Sequence, residues 1–486
     1  MHYSSGDARP SVIDRAFHLL CTPGAVALTV LAITGARLWL LTADAAPPVT
    51  PGEAEVWLMG LDPRPAWPDS GPLLPWLVRL VSTWCGTEAE CLRLLAPVAQ
   101  GMATWCLYHI GAALFDRRTG FWCMVVHATL PIVFWDSLFI GPVAVLASPW
   151  ALALLALGRT MTVDQRLTDW VGLGVGIGVG VLIHPLMLLF VPLALVFLLL
   201  SGTVTRLPWR PGPYVAVLTA LACAWPDIMW NAAHDWQGYR ASLVALDDAM
   251  TRLPETLDSL AMDLGALLLL LGPVMVAMVA LLTVRLPLEI MRGALRDFRA
   301  RLLMLFSVPV LLAALAFGGL AEGSATLFGP AVPATVVLVT AWLVVRDRVG
   351  WVRLIAITNI LLIGLVWRGP EVATRAGWVV PAGFGTMAEG VGWASAGPWL
   401  EGLAEAYEGQ GLGVAGDDAA ILAYQAARRG LEMRVIGTGL DTVDAFNGIL
   451  VMPAALADAG GDIRGRLTIT LPDGRRREWA AVRVEE

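Results

Sequence analysis

The chain has 486 residues, 57% of them hydrophobic and 15% charged, with a mean hydropathy of +0.68 and a formal net charge of -7. These values exclude an ordinary water-soluble globule, and the acidic balance excludes a nucleic-acid surface. Apolar runs close to the roughly 20 residues that a spanning helix needs recur through the first three quarters. No strand-like alternation accompanies them, so backbone pairing in lipid restricts the fold to helices.

The first 20 residues contain Asp7, Arg9, Asp14 and Arg15 and lack a cleavage-type signal, which predicts that the first apolar segment stays as an anchor. Eleven segments are predicted to span: 22–43, 92–115, 119–137, 140–158, 168–184, 186–203, 212–229, 262–284, 302–319, 328–345 and 350–367. The fifth and sixth are the shortest-defined, meeting at Ile183-His184-Pro185, and losing both leaves sidedness unchanged. All 33 basic residues are arginine, and 16 fall on the N-terminal side of these spans against 4 in the opposite loops. The positive-inside rule then puts the N-terminus in the cytoplasm and, with eleven crossings, the C-terminus outside. The expected fold is an all-α polytopic membrane protein, residues 1–367, followed by a small extracytoplasmic α/β domain, residues 368–486.

Two outer loops are long, 44–91 and 231–261. In the first, Thr50–Leu80 carries Glu53, Glu55, Asp62 and Asp69 with three tryptophans and six prolines. Within it, 72–84 is predicted to be an amphipathic surface helix anchored by Trp76 and Trp84. The second loop has Leu243, Leu246, Met250 and Leu253 at helical spacing, which predicts another. The basic segment Arg285–Arg301 reads as a positive-inside anchor near anionic lipid. Of six cysteines, Cys85 and Cys91 bracket a short polar segment, so they form either a disulfide or two free thiols depending on compartment. No spacing of Cys and His indicates a metal.

After Trp367 the order helix 400–408, strand LGVAG, helix 417–429, strand MRVIG, strand GILVMPA and a final hairpin turning at Pro472-Asp473-Gly474 predicts the α/β module. It has no three-glycine phosphate fingerprint. Charges inside apolar segments cost about 2.5–3.5 kcal/mol on insertion scales and so ask for a reason. Arg37 lies within the first span, whereas Arg93, Asp136, Asp227 and Asp263 all fall at outer span ends. With Glu53, Asp69, His234 and Asp235 they point to an outward-facing polar cavity. His109 and His127 read as packing residues.

Arg210-Pro211-Gly212-Pro213-Tyr214, followed by PDIMWNAAHDW at 226–236, resembles the bacterial protein-mannosyltransferase and aminoarabinose-transferase group, a GT-C class of membrane glycosyltransferases (glycosyltransferase family 39-like). GEAEVW, WPDSGPLLPWLVRL, CLRLLAPVAQGMATWCLYHIGAALFDRRTG, SPWALALLALGR and GWASAGPWLEGLAEAY resemble its other conserved stretches in the same order, covering about 25–430. The resemblance implies transfer of a sugar from a polyprenyl-phosphate donor to an envelope lipid, glycan or protein acceptor at the outer face. A carboxylate must take the acceptor proton while the lipid phosphate leaves, and cationic or hydrogen-bonding groups must hold that phosphate.

Several positions depart from the family. The aspartate of its Asp-Glu pair is Gly52, leaving Glu53, and its Thr-Pro-Asp reads Gly141-Pro142-Val143. Its Ser-Lys-Tyr reads Ile183-His184-Pro185, and its Asn-Trp-Pro-Ala reads Phe328-Gly329-Pro330-Ala331. An active enzyme would use Glu53 as base, with Asp136 or Asp69 in place of the missing acid. Arg93 or His184 would lie near the phosphate, and Trp230, Asn231, His234 and Asp235 would complete the substrate site. The alternative is an inactive GT-C homologue, a partner or lipid-binding component in envelope glycan assembly. A transporter lacks support, because no inverted repeat is visible. The expected partners are membrane lipids, the polyprenyl-phosphate-linked sugar and its acceptor. The residues identify no certain cofactor beyond the polyprenyl-phosphate sugar as donor substrate, and they leave a divalent metal open while offering no ligand set for one.

Overall fold

The computed structural model describes residues 17–42, 47–62, 64–67, 70–162, 166–202, 209–240, 257–291, 293, 297–316, 328–375, 392–436, 446–458, 462–470 and 476–484. The chain continues from α1 (Pro23–Leu41) into α2 (Pro51–Leu61), α3 (Leu73–Cys85) and α4 (Ala89–Arg93). Next come α5 (Leu95–Leu114), α6 (Arg117–Thr129), the short α7 (Pro131–Trp135), α8 (Pro142–Thr160) and α9 (Leu167–Ile183). α10 (Phe190–Leu200), α11 (Pro211–Ala233), α12 (Leu257–Leu271) and α13 (Pro273–Met291) follow. α14 (Phe298–Leu305), α15 (Val308–Ala316), α16 (Ala331–Val345) and α17 (Val349–Arg375) complete the helical part.

Prolines set many of these starts. Pro23, Pro51, Pro131, Pro142 and Pro211 all occupy first-turn positions, where a missing N–H is harmless. α8 and α16 are buried almost all round, so they form the centre of the bundle. α1 and α11 expose large apolar residues such as Leu28, Leu31, Leu218 and Trp225, as helices facing lipid do.

Among the described residues, α1, α8 and α11 are each long and apolar enough to cross a membrane alone. Several predicted spans are instead assembled from pieces. The third breaks at Leu130-Pro131, the sixth begins with the 3-10 turn Pro185–Leu189, and the ninth divides between α14 and α15. The eighth, expected as one straight crossing, bends by 113° between α12 and α13. Gly272 takes a left-handed φ of 82° there, and Pro273 cannot donate the hydrogen bond that would continue the helix. The last predicted span runs on as helix past Trp367 to Arg375.

The 72–84 prediction corresponds to α3, which buries Leu74, Pro75 and Val78 and exposes Trp84. Trp76 is not a free anchor, since its indole N–H donates to the Arg64 carbonyl at 3.0 Å. The predicted amphipathic helix at 243–253 lies outside the described residues, as does the hairpin tip 472–474. Cys85 and Cys91 form a disulfide with Cα atoms 5.7 Å apart.

The C-terminal part contains α18 (Ala396–Ala406), β1 (Gly411–Val414), α19 (Ala419–Ala427), β2 (Met433–Val435) and β3 (Gly448–Pro453). A short α20 (Ala454–Ala457) leads to β4 (Asp462–Thr470) and β5 (Arg476–Val484). The sheet order is β2-β1-β3-β5-β4, parallel across the first three strands and antiparallel at β3-β5 and β5-β4. The β1-α19-β2 unit is the strand–helix–strand read from the sequence. α19 docks this domain on the first outer loop. Tyr424 meets Trp57 edge-on at 5.4 Å and donates from its hydroxyl to the Thr87 carbonyl at 2.8 Å, inside the disulfide-closed turn. Arg428 pairs with Glu88 beside it. Burial holds the Tyr424 phenol protonated well above the usual range.

Candidate functional site

Glu53 lies three residues into α2, where a carboxylate completes a capping box. The Thr50 hydroxyl accepts the Glu53 N–H, and Glu53 Oε2 accepts the Thr50 N–H at 3.0 Å. The same carboxylate meets Arg93 in a fork, Nε to Oε1 at 2.7 Å and Nη2 to Oε2 at 2.6 Å. Oε1 also accepts the Ile140 N–H at 3.0 Å, and Oε2 the Thr50 hydroxyl at 3.2 Å. Five donors thus converge on about four lone-pair sites. Arg93 also donates from Nη1 to the Pro47 carbonyl and from Nη2 to the Pro48 carbonyl, and stacks over Phe139 at 5.0 Å. Glu53 is 3% exposed and Arg93 1%.

This geometry revises two assignments made from sequence. Glu53 has no acceptor capacity left for a substrate proton, and Arg93 is sealed against the carboxylate instead of open to a lipid phosphate. The pair is a clamp. It joins α2, α4 and the turn before α8, which are separated by about 40 residues at each step in the chain.

Asp136 caps the end of α7 in the turn that the clamp fastens through Ile140. The two aromatic residues before it grip Trp367 of α17, Phe134 edge-on at 5.7 Å and Trp135 stacked at 6.3 Å. Half-buried, the Asp136 carboxylate has no hydrogen-bond or ion-pair partner among the described residues. It lines a narrow cavity of about 10 Å³ with Gln100, His127, Ile132, Val133 and Pro333. His127, read from sequence as packing, bonds through Nδ1 to the Thr104 hydroxyl at 2.9 Å. Gln100 donates to the Ala144 carbonyl at 2.8 Å, but its buried Oε1 has no partner. Gln100 carried no signal in the sequence beyond being one amide in an apolar span. Its orphaned oxygen becomes visible only once α5 and α8 are packed together.

His184 ends α9, and its Nδ1 accepts the Leu186 N–H at 3.0 Å. That bond requires the tautomer with its proton on Nε2, leaving one ring donor for another group. Beside it, Gly71 donates to the Ile183 carbonyl at 3.1 Å, and a Cβ at residue 71 would lie 2.1 Å from the Leu182 oxygen. Only glycine lets the first outer loop seat so closely on α9. Asp69, two residues earlier, lies outside the described residues.

The PDIMWNAAHDW stretch forms a second polar unit at the end of α11. Asp227 and Asn231 are buried, and Asn231 donates to the Asp227 carboxylate at 3.2 Å while accepting the Gly238 N–H at 3.1 Å. Tyr239 donates to the other Asp227 oxygen. Burial, reinforced by that carboxylate, holds the Tyr239 phenol protonated above the usual range. Asp235 and Trp236 take left-handed φ values of 54° and 59°, uncommon for such residues, so the network holds a constrained turn. Trp230 and His234 stack face to face at 4.1 Å, with His234 and Asp235 exposed. Asn231 is a structural member of this unit, and Trp230, His234 and Asp235 form its outer surface. A substituent at Gly238 would come within 3.2 Å of the Trp67 carbonyl, so the turn abuts the first outer loop.

Of the two positions where the resembled family carries acids, Gly52 is open, since a Cβ there would meet no atom within 4 Å, and Val143 is half-buried. No cluster of three or more metal-ligating side chains occurs among the described residues.

The family profile for dolichyl-phosphate-mannose-protein mannosyltransferase matches residues 69–230. No curated protein sequence matches. The fold is similar to the crystal structure of ArnT from Cupriavidus metallidurans bound to undecaprenyl phosphate, with 14% identity, TM-score 0.60, and 93% of this chain and 97% of that one covered. Its apo form gives 13% identity and the same TM-score of 0.60 and coverage. The Archaeoglobus fulgidus oligosaccharyltransferase, in complex with zinc and sulfate, follows at 14% identity and TM-score 0.50, covering 89% of this chain and 68% of that one. The matched segment runs from α3 into α11, and so includes the turn bearing Asp136 and, of the α11 unit, Asp227 and Trp230. By that segment, about a third of the chain, the protein resembles the protein-mannosyltransferase family, and by its architecture it has the fold of these GT-C structures.

Proposed function

We propose that this protein is a membrane glycosyltransferase that receives a polyprenyl-phosphate-linked sugar at the outer face and transfers it to an envelope acceptor, with Asp136 as general base. The observation that carries this is the division of labour between two carboxylates. Glu53 is saturated by five donors, whereas Asp136 keeps its acceptor sites and shares a cavity with His127 and the unpartnered Gln100 oxygen. In the reaction an acceptor hydroxyl attacks C1 of the sugar and gives its proton to Asp136. The C1–O bond to phosphate breaks, and polyprenyl phosphate leaves. His184, with a proton on Nε2, is the candidate donor to that phosphate, and the Trp230–His234 stack offers a flat surface for the sugar. Glu53 is then a positioning residue that fixes the Asp136 turn. The neighbour crystallised with undecaprenyl phosphate supports a donor of this lipid class.

Asp136→Asn tests the assignment in nanodiscs carrying a labelled polyprenyl-phosphate sugar. Transfer should fall by a factor of about 10²–10⁴, the usual contribution of a general base, with the donor lipid still bound. Unchanged transfer would remove Asp136 from the role. A second reading, a homologue that binds the lipid without transfer, is favoured by the absence of acids at Gly52 and Val143. It expects no transfer in the parent. It also expects altered envelope glycans on deletion of the gene but not on Asp136→Asn.

A further inference from the structure

On the face opposite the outer loops, the start of α1 and α6 meets the ends of α5 and α8 around a cavity of about 220 Å³. Its lining is Pro23, Tyr108, His109, Ala113, Arg117 and Arg159, with Ala112 between. Among the described residues neither guanidinium has a carboxylate within ion-pair distance, and the His109 ring nitrogens have no hydrogen-bond partner. The neighbouring Arg118 behaves differently, pairing with Asp347 at 3.3 Å. Tyr108 is also spoken for, its hydroxyl donating to the Cys21 carbonyl at 2.9 Å.

Arg117 sits at the first position of α6, where the helix dipole disfavours a cation. Arg159 converges on it from the last turn of α8, half-buried. Two like charges facing one cavity repel unless an anion lies between them. His109 adds a ring donor, held edge-on by Trp105 at 4.5 Å and Tyr108 at 5.0 Å. The remaining wall, Pro23, Ala112 and Ala113, is apolar, and the helix that contributes Pro23 exposes Leu28 and Leu31 farther along its length. This combination of a cationic mouth and an apolar flank matches a phosphate that carries a hydrocarbon chain.

We propose that this cavity binds the phosphate headgroup of an anionic membrane lipid on the arginine-rich face, at a site separate from the outer transferase centre. Phosphate is the recognised chemistry, a lipid phosphate the source. Native mass spectrometry of the full-length protein, with phosphatidylglycerol titrated into the detergent, tests it. The parent and Arg118→Gln should retain the lipid alike. Arg117→Gln/Arg159→Gln should retain it about tenfold or more weakly. Arg159→Lys keeps the charge but loses the planar fork and should fall between them; it also serves if the double variant does not fold. Equal retention by parent and double variant would overturn the site. Protection from thermal unfolding by inorganic phosphate as strong as by the lipid would overturn the lipid assignment.

Discussion

Replacing Glu53 separates a structural carboxylate from a catalytic one. Glu53→Ala leaves Arg93 charged at 1% exposure, with only the Pro47 and Pro48 carbonyls as partners. Removing one partner of a buried, hydrogen-bonded ion pair costs about 3–5 kcal/mol, whereas an exposed pair is worth about 0–1 kcal/mol. The alanine also removes the Glu53 half of the capping box and the acceptor for the Ile140 N–H, so the upper part of that range applies. Unfolding in denaturant, followed by tryptophan fluorescence in a mild detergent, reads the loss. Arg93→Ala should cost about as much, and the double replacement should fall short of the sum by about 0.5–3 kcal/mol, because the second change relieves the orphan left by the first. Glu53→Gln keeps the shape but turns an amide NH2 toward donors and leaves Arg93 without a countercharge, so it should lose stability too and retain transfer in proportion to the folded fraction. If Glu53→Gln is as stable as the parent but transfers no sugar, Glu53 is a reacting group and the clamp reading is wrong.

The other expectations are quickly stated. Opening the Cys85–Cys91 bridge as Cys85→Ser/Cys91→Ser should destabilise the outer loop by about 2 kcal/mol on the chain-entropy account for so short a loop. Both thiols should react with a membrane-impermeant maleimide only after reduction, and label found on Cys85 or Cys91 of unreduced protein, apart from the free thiols such as Cys223, would show the bridge absent. Tyr424→Phe keeps the edge-on contact with Trp57 but loses the bond to the Thr87 carbonyl, a loss of about 0.5–1.5 kcal/mol. Limited proteolysis should then release the C-terminal domain sooner, and an unchanged digestion pattern would show that this bond does not hold it.

Much of the plan was legible in the chain. The family resemblance held, and the amphipathic stretch at 72–84 is a helix with Leu74 and Val78 turned inward. The strand–helix–strand at 411–435 folds as read. What could not be read follows from the physics of breaks and pairing. Hydropathy registers Leu264–Arg285 as one apolar run, because it averages over Gly272-Pro273 and cannot see a 113° bend. Composition marked Glu53 and Arg93 as polar residues at the outer level but carried no information that they lie in each other's grasp across 40 residues. Charge placed near a membrane surface looks the same whether it faces substrate or seals a core. Asp136, by contrast, was one of several acids at span ends, and only its lack of partners distinguishes it from Asp227.

The clamp also separates the fates of two adjacent positions on α2. Glu53 ties three segments, so any replacement there strains the whole outer end, while Gly52 faces outward with no atom near its missing side chain. An acid can therefore be gained or lost at residue 52 in a single step without disturbing the scaffold. In a saturation-mutagenesis library selected for folded protein, position 53 should be nearly invariant and position 52 nearly free. The chemistry of this end of the molecule can change while its architecture is inherited intact.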